Sequence, residues 1–190
     1  IVASDCAMPD SPENNFATIN PLETTVGTLS EGNLKSVAAV GLNKVTFQIP
    51  QTGKWYWELG VVTVAAMTHG VIDSVSGVKT RHYREAGNGD IRIQGASTVN
   101  SGVGYGDGDV LSVSLDMDND TIQFRVNNSS AGGAYDLDGD QKNLVPYFHQ
   151  NSNSGTATGI YNFGQDSSFS ATETAQGNTD GKGIGDFYYA

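Results

Sequence analysis

From Val110 to Val126 the chain carries one pattern twice. Leu111, Val113 and Leu115 alternate with Ser112 and Ser114, and Ile122, Phe124 and Val126 then alternate with Gln123 and Arg125. Successive side chains of a strand point to opposite faces, so apolar residues at every second position build a strand that buries one face. Between the two runs lies Asp116-Met117-Asp118-Asn119-Asp120. Asp and Asn side chains bond to nearby backbone and tolerate unusual dihedrals, so this run reads as a turn. The whole stretch is one hairpin.

The same logic places strands at Leu34–Val40, at Lys44–Ile49, where Val45, Phe47 and Ile49 alternate, and at Lys54–Ala66. The last is long and apolar and belongs in the middle of a sheet. Gly60 breaks its phase, which predicts a bulge or a close approach of backbone. Shorter strands follow at Ile91–Ile93, Val145–His149 and Gly159–Phe163, while Thr68–Ser101 is less regular and Ser129–Asn143 reads as a loop. Turn residues recur throughout, Gly numbers 24, and no helical stripe runs beyond a few turns. A chain of 190 residues is long enough to bury a core, and is most simply one domain with flanking arms. The expected class is all-β.

Several segments resemble the SPRY domain, the core of B30.2. Gly53-Lys54-Trp55-Tyr56-Trp57-Glu58-Leu59 is similar to its early Tyr-Trp-Glu strand. Gly106-Asp107-Gly108-Asp109 opening the central hairpin, Leu144-Val145-Pro146-Tyr147 and Tyr161-Asn162-Phe163-Gly164 follow in the family's order. One departure is Asn127-Asn128-Ser129-Ser130, where the family has Asn-Gly. The resemblance runs from about Leu34 to Phe169. It implies an antiparallel β-sandwich, a concanavalin-like jelly roll, that serves as a binding module. The expected organisation is an N-terminal arm over residues 1–28, a sandwich over 29–169 and a C-terminal extension over 170–190. Asn15–Leu22, Leu29–Leu34 and the stretch from Asn162 to Ala190 are similar to the framing of SPRY-like segments in tailed-bacteriophage structural proteins, especially those of marine phages. That likeness implies a virion location on the particle surface, with other virion proteins or copies of itself as partners. The ends at Ile1 and Ala190 are expected to be cuts within longer sequence.

Charge narrows the partners. Lys plus Arg is 10 against 21 Asp plus Glu, a net charge of −11. Nucleic acid needs a basic footprint, and anionic membranes attract basic segments, so neither is expected as a partner. No run approaches the apolar length of a membrane span. Cys6 is alone, which rules out an intrachain disulfide.

Catalytic patterns are sought and not met. His69, His82 and His149 have no Gly-x-Ser-x-Gly elbow to serve. Gly102, Gly104, Gly106 and Gly108 do not match a phosphate loop. Glu58 is the best single carboxylate for glycoside chemistry, yet the resemblance makes it a buried, hydrogen-bonded framework group. Asp116, Asp118 and Asp120 read as turn residues. Asp136, Asp138 and Asp140 lack the Gly and Glu positions of a calcium loop, so no metal or cofactor is assigned beyond a weakly held Ca²⁺ there. Trp55 and Trp57 share a strand face and are expected in the core. Loops of a sandwich are supported recognition surfaces. The ligand-contacting residues expected on them are Arg81, His82, Tyr83 and Arg84 in one loop, and Tyr135, Asp136 and Asp138 in the other. The expected function is a non-enzymatic structural or recognition module of a phage virion that binds protein or host surface. The alternatives are a cellular adaptor for a peptide and a module that binds or cleaves glycans.

Overall fold

A computed structural model describes residues 15–24, 27–38, 40–83, 89–93, 97–100, 103–137, 142–150 and 155–189. Its strands, in chain order, are β1 (Thr28–Ser30), β2 (Lys35–Ala38), β3 (Gly41–Lys44), β4 (Lys54–Thr63), β5 (Met67–Asp73), β6 (Lys79–Tyr83) and β7 (Asp90–Ile93). There follow β8 (Ser97–Asn100), β9 (Val110–Asp116), β10 (Thr121–Val126), β11 (Ser129–Asp136), β12 (Leu144–Gln150) and β13 (Ala157–Asn162). They form a seven-stranded sheet in the order β1-β2-β13-β4-β9-β10-β11 and a six-stranded sheet in the order β3-β12-β5-β6-β7-β8. Every pairing is antiparallel, and no helix occurs among the described residues.

The central hairpin sets the register. Val113 pairs with Phe124 on one side and with Trp57 on the other. Leu59, Leu111, Val113, Leu115, Ile122 and Phe124 are each at most 1% exposed, so the alternating residues form the inner face of the first sheet. Met67, His69, Val71, Thr80, His82 and Phe148 supply the facing layer from the second sheet. The two layers meet where the rings of His69 and His82 lie 5.4 and 5.8 Å from that of Phe124. Each fully buried large apolar side chain contributes roughly 2–3 kcal/mol.

Gly60 shows the close approach, while it pairs in register with Ile160 and Val110 and the bulge lies just beyond it. The β4–β13 register slips between Thr158 and Gly159, opposite Val61 and Thr63. A Cβ on Gly60 would lie 3.0 Å from the ring of Phe169, so the glycine makes room for that ring. Asn127 and Asn128 sit at φ 48° and 64°, the left-handed pair that a two-residue hairpin turn needs, and thereby replace the Asn-Gly of the family.

Three expectations are corrected. The stretch after that turn was expected as a loop, but Ser129–Asp136 is strand β11, paired to β10 with Ile122 opposite Tyr135. It lies at the sheet edge with mostly exposed positions, so no apolar alternation marks it. Lys79–Tyr83 was also expected in a loop and is strand β6. Its inward positions are Thr80 and His82, polar residues that hide the period. The strand expected at Lys44–Ile49 ends early. The ladder is Gly41–Lys44, and Val45 makes only a single bridge, to Ile19.

The buried histidines have a consequence for stability. His69 Nε2 lies 3.3 Å from His82 Nδ1, and His82 Nε2 lies 2.9 Å from the Val103 carbonyl. The carbonyl can only accept, so His82 Nε2 carries a proton and its Nδ1 receives one from His69. Both rings are neutral in this relay. Burial, reinforced by the His82 ring, holds His69 well below the usual histidine range. Burial takes His82 down to about 4 despite the Val103 carbonyl. The unfolded chain therefore binds more protons than the fold between its ordinary histidine pKa and the folded value. Stability is complete above pH ~6.5 and falls as pH drops toward 4, by up to about 1.4 kcal/mol per pH unit for each such histidine. Carboxylates such as Asp73, held low by the Ser76 and Val75 amides, add losses only at still lower pH. Urea unfolding across this range should show the midpoint falling between pH 6.5 and 4. A midpoint that stays flat there would contradict the buried relay.

Candidate binding surfaces

The expected contact residues do not gather into one site. Arg81 is half-buried on β6, in the six-stranded sheet. His82 is 0% exposed and points into the core, so it leaves the candidate surface. Tyr135 and Asp136 stand on β11, at the edge of the other sheet. The side chain of Tyr83 and the residues Arg84, Asp138 and Asp140 lie outside the described residues, as does Cys6. Among the described residues no group of three or more His, Cys, Asp or Glu could hold a metal ion. Asp116 accepts the amides of Asp118 and Asn119, and Asp118 accepts the amide of Gly53, which explains the first acidic run as turn chemistry.

Glu58 is fully buried on the outer face of the seven-stranded sheet. Its Oε1 accepts the Tyr56 hydroxyl at 2.8 Å and the Tyr189 amide at 2.7 Å. Its Oε2 accepts Asn162 Nδ2 at 3.0 Å and the Tyr188 amide at 2.9 Å. Burial and the adjacent carboxylate raise the Tyr56 pKa, which keeps that hydroxyl a donor. Asn162 extends the network. Its Nδ2 also reaches the Asp186 carbonyl at 2.8 Å, and its Oδ1 accepts the amides of Gly164 and Asp166. Phe169, 1% exposed, packs on Gly60, and Phe187 meets the Tyr56 ring edge-on at 5.1 Å. The C-terminal stretch thus roofs the outer face of β4 and β13. A carboxylate surrounded by these donors and closed off from solvent has no room to act on a substrate. Glu58 is an anchor.

At one end of the sandwich lies a cleft of about 140 Å³, lined by Phe16, Phe47, Trp55, Trp57, Pro146 and Phe163 together with parts of Asn15, Ala17, Ile49 and Tyr56. Phe47 is 41% exposed, and its ring lies 5.6 Å from that of Trp55. The Trp55 indole donates to the Thr52 carbonyl at 3.1 Å, which fixes the ring at the rim. Of the two tryptophans expected in the core, Trp57 is there at 3% exposed, whereas Trp55 is only partly buried. Strand alternation treats the two alike. What separates them is nearness to the strand end, which pattern does not report. A second depression, of about 170 Å³, lies between Gly60–Val62, Gly108–Asp109 and Thr172–Glu173.

The anchor is directly testable. In Glu58→Gln the amide nitrogen cannot accept, so two of the donors lose their acceptor, a cost of about 2–4 kcal/mol. Chymotrypsin should then cut at Phe169, Phe187 and Tyr188, sites that the wild type protects. Unchanged stability and an unchanged digest would show that Glu58 does not hold the segment.

A family model described as the SPRY domain matches residues 44–166, more than half of the chain. The fold is similar to that of the SPRY domain of human HERC1, with a TM-score of 0.61 at 18% identity, covering 75% of this chain and 96% of that one. It is equally similar to the TRIM65 PSpry domain, with a TM-score of 0.61 at 14% identity over 77% of this chain and 92% of that one. Stonustoxin aligns with a TM-score of 0.56 at 18% identity, over 77% of this chain but 27% of the toxin chain. At these identities the structural likeness concerns the sandwich alone. No curated protein matches the sequence. The motif order, the two antiparallel sheets and the matched span agree, and the chain belongs to the SPRY domain family, whose members are generally protein–protein interaction modules.

Proposed function

We propose that this SPRY domain is a non-enzymatic structural and recognition module of a tailed-phage virion, on a tail fibre, the tail or the capsid surface. The observation that carries the recognition part is the half-open aromatic cleft, with Phe47 and Trp55 at its rim. Its volume suits one or two apolar side chains of a partner protein. Large, held aromatic rings of this kind make up the energetic centres of protein interfaces.

The virion part is supported by the likeness of the flanking segments to phage structural proteins. It is also supported by how those segments pack. Gln165 Nε2 donates to the Ala17 carbonyl at 2.7 Å, and the Phe16 ring lies against Gly164. The stretches leading into and out of the sandwich therefore run side by side, a geometry suited to displaying the body from a larger assembly. A net charge of −11 keeps crowded copies from sticking to one another.

Carbohydrate binding is the second reading, favoured by the same Phe47–Trp55 pair, on which a sugar ring could stack. Imaging native particles separates the virion reading from a cellular adaptor: ordered density for the sandwich at a fixed particle position is expected. Particles carrying Trp55→Ala should keep that density and lose contact with the neighbouring or host protein. Particles without the density, or a Trp55→Ala variant that binds as the wild type does, would overturn the corresponding half of the proposal. Loss of wild-type binding on removal of host glycans would favour the carbohydrate reading.

A further inference from the structure

Three consecutive residues of the C-terminal stretch, Phe169, Ser170 and Ala171, sit in the left-handed region at φ 48°, 57° and 62°. None is glycine, and a residue with a Cβ is strained there, so a run of three persists only where its surroundings hold it. Here the Phe169 ring, 1% exposed, packs on Gly60, and Asp166 accepts the amides of Ser168 and Ser170 at 2.8 Å each. Beyond the run the chain leaves the body. Residues 174–184 are exposed, and among the described residues their hydrogen bonds stay within 174–188.

The chain then returns as a compact end. Asn178 and Phe187 exchange backbone hydrogen bonds at 3.2 and 2.7 Å, Asn178 Nδ2 donates to the Tyr188 carbonyl at 2.7 Å, and Asp180 accepts the amides of Lys182 and Ile184 at 3.0 Å. A separate set of bonds seats this end on the sandwich. The Asp186 amide donates to the Gly164 carbonyl at 3.0 Å, the Ser167 amide to Asp186 Oδ2 at 3.2 Å, and the Tyr188 and Tyr189 amides to Glu58. A strained turn, an exposed link and a self-bonded end that grips the body through its last residues therefore follow one another.

We propose that residues 178–189 exchange between two copies of this chain, each end docking on Glu58 of the other copy. The receiving surface is matched to that occupant, because it holds the same residues within the single chain. Exchange keeps the bonds of the docked end and changes only the link, and a strained hinge gives up its strain on opening. Residues 170–177 reach roughly 26 Å when extended, long enough to pass from one copy to another beside it. Exchange takes place as chains fold side by side, at the local concentration that an assembly provides. It needs neither the aromatic cleft nor a virion location.

The test refolds the full chain at micromolar and at millimolar concentration and resolves the products by size-exclusion chromatography with light scattering. Wild type should give a dimer fraction that rises with refolding concentration. Glycine is at ease in the left-handed region, so the double variant Ser170→Gly with Ala171→Gly should weaken dimerisation about tenfold. Ala171→Pro, whose ring fixes φ at the opposite sign, should strengthen it. Trp55→Ala should dimerise as wild type does, which keeps failure here distinct from failure of the cleft. In a Cys6→Ser background, spin labels at Lys54→Cys on one copy and Lys182→Cys on the other should lie as far apart in the dimer as the same two labels do within one monomer. That distance is read on the natural hinge, so it decides the matter if Ala171→Pro does not fold. A chain that stays monomeric at millimolar concentration, a dimer indifferent to the glycine variant, or a label distance unlike that of the monomer would overturn the proposal.

Discussion

Four hydrogen bonds to one buried carboxylate hold this molecule in its observed form. Glu58 comes from the central strand β4, and its donors come from Tyr56 on that strand, from Asn162 on β13, and from the amides of Tyr188 and Tyr189 at the far end of the chain. An ionised group removed from water is tolerable only when its oxygens are met by donors. Here the sandwich alone supplies two of them, and the C-terminal stretch supplies the rest. The carboxylate and the segment therefore require each other: without the segment the charge is left short of partners, and without the charge two half-buried amides are.

That mutual requirement determines which surfaces the protein offers. The outer face of the seven-stranded sheet around β4 and β13 carries Glu58, Gly60 and Ile160, and is covered by Phe169, Phe187 and Tyr188. It is thus an internal surface. The cleft at the end of the sandwich stays open beside it. At one end the inner faces open into the Phe47–Trp55 cleft, where the N-terminal Phe16 also lodges.

The parts legible from sequence are those whose pattern is local. The hairpin at Val110–Val126 and the long strand at Lys54–Thr63 announce themselves by alternation, and Gly60 by its break in phase. Strand β6 did not, because its inward residues are Thr80 and His82, and a buried histidine pair is indistinguishable in sequence from a polar loop. Strand β11 did not, because an edge strand facing solvent needs no apolar alternation. The placement of Glu58 on a buried strand was readable. Its partners were not, since two of them are backbone amides 130 and 131 residues away, and an amide has no sequence signature. Arg81 stood out in the sequence by its rarity, but its place opposite Arg92 follows from cross-strand register alone.

Native-state hydrogen exchange at the Tyr188 and Tyr189 amides tests most directly whether the C-terminal segment and the sandwich are one cooperative unit. If they are, these two amides exchange only through global opening, with the same protection as Leu59 and Val113 in the central strands. Exchange at the rate of an exposed loop, while the central strands stay protected, would show that the segment lies on the sandwich without being held by it.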